Sequence, residues 1–198
     1  MRKNSRLCSL KDNRTHWIMP CVAALVMGIG YADASEPPTV RATIQLMPDR
    51  KPAPAFGLED ASAKIVRLSD YRGKVLLLDF WATECGGCVR EIPWFMDLAR
   101  AYKKEGLAVV GISVDVLYES LKDSKEGWSR VKPFVQARKV NYPILMGDDQ
   151  VTKRYDIRAL PLTYLIDKRG RIAATYMGVV DRDNLEANVN TLLKEHSK

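Results

Sequence analysis

Two cysteines separated by two glycines, Cys85-Gly86-Gly87-Cys88, carry the clearest chemistry in this 198-residue chain. They follow the apolar run Val75 to Trp81. They open a segment, Cys85 to about Lys104, in which Ile92, Phe95, Leu98, Ala99 and Tyr102 recur on one helical stripe. A cysteine at a helix N-terminus faces unpaired N–H groups and the positive end of the macrodipole, and both favour the thiolate. The thiolate is the nucleophile of disulfide exchange. Cys88, one turn later, is near enough to close a small ring with Cys85. Such a pair is suited to two-electron thiol–disulfide chemistry.

Two acids accompany it. Asp79 interrupts an otherwise apolar strand, where desolvation would raise its pKa toward neutrality and fit it to take the proton of Cys88. The plainer alternative is a strand-end aspartate that reaches water or caps the next helix. Glu91 lies three residues after Cys88, on the same helix face, and is otherwise an ordinary early-helix acid favoured by the dipole. Half of a zinc site is the competing use of Cys-x-x-Cys. Structural zinc needs four ligands, and after residue 34 the chain offers no further cysteine and one histidine, His196. Haem attachment through Cys-x-x-Cys-His fails because Val89 follows Cys88.

These residues need a scaffold. Val75 to Trp81 and Leu107 to Val114 read as strands buried on both faces. Phe56 to Leu58 and Ile65 to Leu68 read as short strands, with Ser69 to Gly73 a loop or single turn. Leu162 to Ile166 and Ile172 to Met177 flank the turn Asp167-Lys168-Arg169-Gly170, a hairpin signal. Tyr142 to Met146 reads as a further short strand and Val151 to Tyr155 as a short helix. Arg130 to Lys139 is expected as a helix with Pro133 in its first turn. Asp183 to Glu195 should be a closing helix capped by Asp181 or Asp183. Pro93 should kink the helix after the cysteines. Val116 to Trp128, with mixed charges and Gly127, is expected as a surface insertion, with Tyr118 and Trp128 as candidate partner contacts. The core order βαβαββα points to an α/β sandwich with a mixed sheet.

The N-terminus has the form of an export signal, residues 1–34. Arg2, Lys3, Arg6, Lys11 and Arg14 precede an uncharged stretch, Trp17 to Tyr31, and Ala32-Asp33-Ala34 supplies a cleavage site. An uncleaved membrane anchor is the alternative, although Pro20, Gly28 and Gly30 interrupt a stretch short of the ~20 residues a span needs. Cleavage would remove Cys8 and Cys21, leaving only the Cys85/Cys88 pair. Residues 35–50 are expected as a linker and 51–198 as the folded domain. The whole chain carries 31 basic and 24 acidic residues. Loss of five basic and two acidic residues with the leader leaves a net charge of +4. No basic block is present, which argues against nucleic-acid binding.

The pattern resembles the thioredoxin superfamily and, within it, the exported TlpA/ResA-like thiol–disulfide oxidoreductases. The resemblance rests on Lys51-Pro52-Ala53-Pro54-Ala55-Phe56, on Asp79-Phe80-Trp81-Ala82-Thr83 before the cysteines and on Glu91-Ile92-Pro93 after them. Leu160-Pro161 with Leu162-Thr163-Tyr164-Leu165-Ile166-Asp167 completes it. It implies a thioredoxin-like sandwich with a central mixed β-sheet flanked by helices. Cys85 would attack a substrate disulfide and Cys88 would resolve the product. Asp79 matches the buried aspartate of thioredoxins, where many TlpA-like proteins carry asparagine. Glu91 matches the glutamate of the Glu-x-Pro motif, which helps move the cysteine proton. Pro161 matches the superfamily's cis-proline facing the cysteines, and Leu160 and Trp81 would line a substrate groove. Glu84 and Gly87 depart from the pattern, replacing the usual tryptophan and proline; Gly87 adds an N–H that could face the Cys85 sulfur.

The resemblance also implies a periplasmic disulfide reductase acting on protein substrates, with apocytochrome c cysteines one plausible class. Electrons would come from a membrane thiol carrier, since no nicotinamide or flavin motif is present. An oxidase or isomerase differs from this mainly in potential. A thiol peroxidase would require a Pro-x-x-x-Thr-x-x-Cys setting, which is absent. A copper chaperone could use the cysteine pair for soft Cu(I), but on this fold it normally adds a late histidine ligand.

Overall fold

Strand β3 (Val75–Trp81) organises the molecule because all seven of its residues are buried, so both faces of the sheet must be covered. The computed structural model describes residues 38–196. A hairpin of β1 (Gly57–Glu59) and β2 (Ile65–Arg67) leads through one 3₁₀ turn, Leu68–Tyr71, into β3. Then follow α1 (Gly86–Ala101), β4 (Leu107–Ser113), α2 (Asp115–Tyr118), α3 (Ser124–Arg138), β5 (Ile144–Met146) and α4 (Asp149–Arg154). The chain continues with β6 (Leu162–Ile166), β7 (Ile172–Met177) and α5 (Arg182–Lys194). The main sheet has the order β5-β4-β3-β6-β7, with β3, β4 and β5 parallel and β6 and β7 antiparallel to their neighbours.

Alternation along β3 sorts the core into two layers. Val75, Leu77 and Trp81 pack with Cys88, Ile92 and Phe95 of α1, Val131 of α3 and Leu185, Val189 and Leu192 of α5. Leu76, Leu78 and Phe80 pack against Phe56, Leu58, Val151 and Tyr155 on the other face. Full burial of each such side chain contributes about 1.5–3 kcal/mol. Asp79 shares the parity of Leu77 and Trp81, so the strand turns it toward α1. Helix caps set the entry angles: Asp123, Asp148 and Asp181 accept from Glu126, Val151 and Asn184 N–H groups at 2.9, 2.7 and 2.8 Å. Asp181, not Asp183, therefore caps α5.

Three expectations are revised. The first concerns the boundary at residue 50: residues 38–50 belong to the same unit as the rest of the described chain. Instead of a free linker they form a strap along the outer edge of β7. Gln45 N–H donates to Ala173 O at 2.8 Å, and Val40 bridges Val180 in parallel. Arg50, almost wholly buried, anchors the strap by bonding Glu195 twice at 2.7 Å, Asp167 at 3.1 Å and its own Gln45 carbonyl at 2.9 Å. The expected leader, 1–34, lies outside the described residues. Among those residues no helix is long and apolar enough to cross a membrane.

The second concerns α3, which begins six residues earlier than expected, so Pro133 lies in its interior. The third follows from it: most of the expected insertion is helix. Gly127 is buried because Val116 of α2 and Met146 of β5 press on it; a Cβ there would meet Val116 Cγ2 at 2.8 Å. Trp128 is half-buried against the core, whereas Tyr118 stays exposed.

Candidate active site

The cysteines sit where β3 ends and α1 begins. Cys85 is the N-cap of α1 and is joined to Cys88 by a disulfide. The N–H that reaches the Cys85 sulfur is that of Cys88, at 3.2 Å, rather than that of Gly87. Cys85 is 6% exposed and Cys88 wholly buried, so only Cys85 can meet a partner sulfur without rearrangement. The Leu160–Pro161 peptide is cis, and Pro161 packs directly on the cysteine turn. A Cβ at Gly87 would stand 3.2 Å from Pro161 Cδ and 2.9 Å from Val179 Cγ2. Glycine at 87 is what permits this approach.

Two carboxyl groups, those of Asp79 on β3 and Glu91 on α1, are wholly buried. Neither oxygen of Asp79 has a hydrogen-bond partner among the described residues. Burial pushes its carboxyl up from an ordinary 3.8 to about 8. Thr163, opposite it in the β3–β6 register, favours the charged form but stands outside hydrogen-bond geometry, and its own Oγ1 is also unpartnered. Glu91 is equally buried and is pushed up from 4.5 to about 9. Burial is the main cause and the Asp79 charge the second; the Val180 N–H and the Arg90 charge oppose them. Val180 N–H donates to Glu91 Oε1 at 2.6 Å, while Oε2 has no partner. Burial and the same two negative charges push the Tyr142 phenol well above its usual value, so Tyr142 faces the pair as well. Close, buried and mutually repelling, the two carboxyls cannot both ionise near neutrality.

The two residues expected to line a groove part company. Leu160 borders an open cleft of about 490 Å³, shared with Leu117, Tyr118 and Ile157. Trp81 does not reach it: at 1% exposure it lies in the core, its ring 5.2 Å from that of Phe134. It packs so closely on Gly111 that a Cβ there would meet its Nε1 at 2.9 Å.

Residues not singled out from the sequence hold the site in place. Asp115, wholly buried just past the end of β4, accepts from Thr83 N–H at 3.0 Å, from the Thr83 hydroxyl, and from Ser113 Oγ at 2.7 Å. It thereby fixes the Thr83-Glu84 link into Cys85. Its signal in the sequence is an acid at the end of the largely apolar run Leu107 to Val114, in which Ser113 is the one polar side chain. The loop Gly178–Asp181 is the second such element, supplying Val179 to Gly87 and the Val180 N–H to Glu91.

Residues 50–175 match the AhpC/TSA family. The chain is 33% identical over 141 residues to the thiol-disulfide oxidoreductase ResA of Geobacillus kaustophilus (strain HTA426), covering 71% of this chain and 75% of that protein. Against the thiol-disulfide oxidoreductase ResA of Bacillus subtilis (strain 168) identity is 30% over 141 residues, covering 71% and 73%. A Chlorobium tepidum structure bearing the name thiol:disulfide interchange protein DsbE superposes with a TM-score of 0.63 at 28% identity. The match covers 73% of this chain and 96% of that one.

Proposed function

We propose that this chain, which belongs to the AhpC/TSA family and is a thiol–disulfide oxidoreductase of thioredoxin-like fold, works as a reductant of protein disulfides. Its site of action would be the periplasm, reached by export and removal of residues 1–34. The Cys85 thiolate attacks one sulfur of a substrate disulfide, forming a mixed disulfide and releasing the other sulfur, which takes up a proton. Cys88 then loses its proton and attacks Cys85, freeing the second substrate thiol. In sum the dithiol gives up two electrons and two protons, and the substrate disulfide gains them. Whichever of Asp79 and Glu91 is ionised accepts the Cys88 proton, and the cleft that Leu160 borders receives the chain around the substrate cysteine. Apocytochrome c is one substrate class that fits, with a membrane thiol carrier restoring the dithiol.

The observation that carries this reading is the asymmetry of the pair: a partly exposed Cys85 at the helix N-cap and a sealed Cys88 on the core side of α1, where Asp79 and Glu91 are buried as well. The deciding measurement is the Cys85–Cys88 reduction potential against glutathione. A value below roughly −230 mV supports the reductant, and one near roughly −120 mV makes the protein a disulfide donor and overturns the assignment. Loss of exchange in Cys85→Ser, and a trapped mixed disulfide in Cys88→Ser, check the division of roles. N-terminal sequencing of the exported protein should begin at Ser35.

A further inference from the structure

We propose that Val40, in the strap that precedes β1, is a positioning residue of the exchange site, acting through the Gly178–Asp181 loop. The inference rests on the reading of Glu91 as a proton-handling group.

The loop touches the site at three residues, Pro161, Gly87 and Glu91. Gly178 N–H donates to Pro161 O at 2.9 Å, the Val179 side chain covers Gly87, and Val180 N–H donates to Glu91 Oε1 at 2.6 Å. Between β7 and the cap of α5 the loop has no ladder of its own, so its backbone groups must find partners elsewhere. Val40 supplies two of them: its N–H donates to Val179 O at 2.7 Å, and its carbonyl accepts from Asp181 N–H at 2.8 Å. Those bonds flank Val180 on both sides and aim its N–H inward. The Val40 side chain also closes on Gly178, whose φ of +114° few other residues adopt. Asn184 Oδ1 and Asn188 Nδ2 fix Ala42, two residues along the strap, at 2.8 Å each. The Arg41–Asp181 ion pair is largely exposed on the arginine side and contributes little, so the backbone pair dominates.

The charged and titratable groups that act on Glu91 are Asp79 from β3, Arg90 beside it on α1 and Tyr142 before β5, with the Val180 N–H bonded to it and Cys88 one turn earlier on α1. Among these the Val180 N–H makes the one hydrogen bond to the Glu91 carboxyl among the described residues. Releasing the loop withdraws that donor from a buried carboxylate and favours the protonated acid. Proton acceptance from Cys88 then moves to higher pH.

Val40→Pro removes the N–H, whereas Val40→Ala keeps both backbone bonds. The test is the pH profile, from about pH 5 to 10, of the rate at which reduced protein is oxidised by oxidised glutathione. Both variants are compared with the intact sequence and with Glu91→Gln. Val40→Pro is expected to move the Glu91-dependent inflection upward by about one pH unit, Val40→Ala to leave it in place, and Val40→Pro to shift nothing in the Glu91→Gln background. If Glu91→Gln erases the inflection but Val40→Pro leaves it unmoved, the role of Val40 is overturned and that of Glu91 stands. If Val40→Pro shifts the profile equally without Glu91, the strap acts on stability alone and the inference fails. If Glu91→Gln changes nothing in the intact protein, the reading of Glu91 fails and takes this inference with it. Should Val40→Pro not fold, Asn184→Ala loosens the strap two residues on, at Ala42. A smaller upward move is then expected, and an unchanged profile overturns the proposal.

Discussion

Val179 lies over Gly87 so closely that its Cγ2 is 2.9 Å from where a Cβ on residue 87 would stand. Two effects compete when Gly87 becomes alanine. Alanine gains up to about 1 kcal/mol over glycine in a helix, while overpacking costs about 1–3 kcal/mol. Gly87→Ala is therefore expected to destabilise the oxidised protein. In a Val179→Ala background the same change should turn neutral or stabilising. Urea unfolding of the four-member cycle decides it, and equal effects in both backgrounds would refute the contact.

The buried carboxyls set a pH dependence of stability with a definite sign. In the fold Asp79 and Glu91 keep their protons up to about pH 8 and 9, whereas unfolded they lose them near 3.8 and 4.5. The folded state binds more protons across that window, so stability falls as pH rises from about 4 to about 9. Asp79→Asn removes the penalty and is expected to stabilise the protein at pH 7 by on the order of 1–4 kcal/mol while slowing exchange. Denaturant curves at pH 5 and pH 8 test this: the gain from the substitution should be larger at pH 8.

Arg50 joins the strap to the opposite end of the chain with its side chain almost sealed from water, as is that of Asp167. Arg50→Met would leave the Asp167 charge uncompensated, and the expected loss is about 3–5 kcal/mol. A loss of unfolding free energy in urea of less than a quarter of that size would show that water replaces the guanidinium.

Asp115 ties the Thr83 backbone and hydroxyl to the end of β4. In Asp115→Ala the Thr83 donors lose their acceptor, at a cost of about 1–3 kcal/mol. The Cys85 loop also drifts, which should slow exchange about tenfold or more. The readout is the rate of Cys85 alkylation by iodoacetamide in the reduced Cys88→Ser protein. An unchanged rate would confine Asp115 to stability.

Much of the frame is legible along the chain because it depends on local pattern. The bounds of β3, β6 and β7 coincide with those read from their apolar runs, which stop at turn residues. The cysteines fall at a helix start because a buried strand must end before Cys85 and an amphipathic stripe follows it. The start of α3 was obscured because Gly127 reads as a loop residue. It is there because Val116 and Met146 leave no room for a side chain. Trp81 could equally have been a wall or core, and only its packing against Gly111 and Phe134 makes it core.

By itself the sequence determined the reactive pair, the layer order and the burial of Asp79, all consequences of spacing within about ten neighbouring residues. Tertiary structure alone decided what surrounds that pair. The Val180 N–H meets Glu91 from 89 positions away, Ala42 meets Asn184 across 142, and Arg50 meets Glu195 across 145. No periodicity encodes such contacts, because each forms only when the closed sheet brings β7, α5 and the strap to the edge of the site.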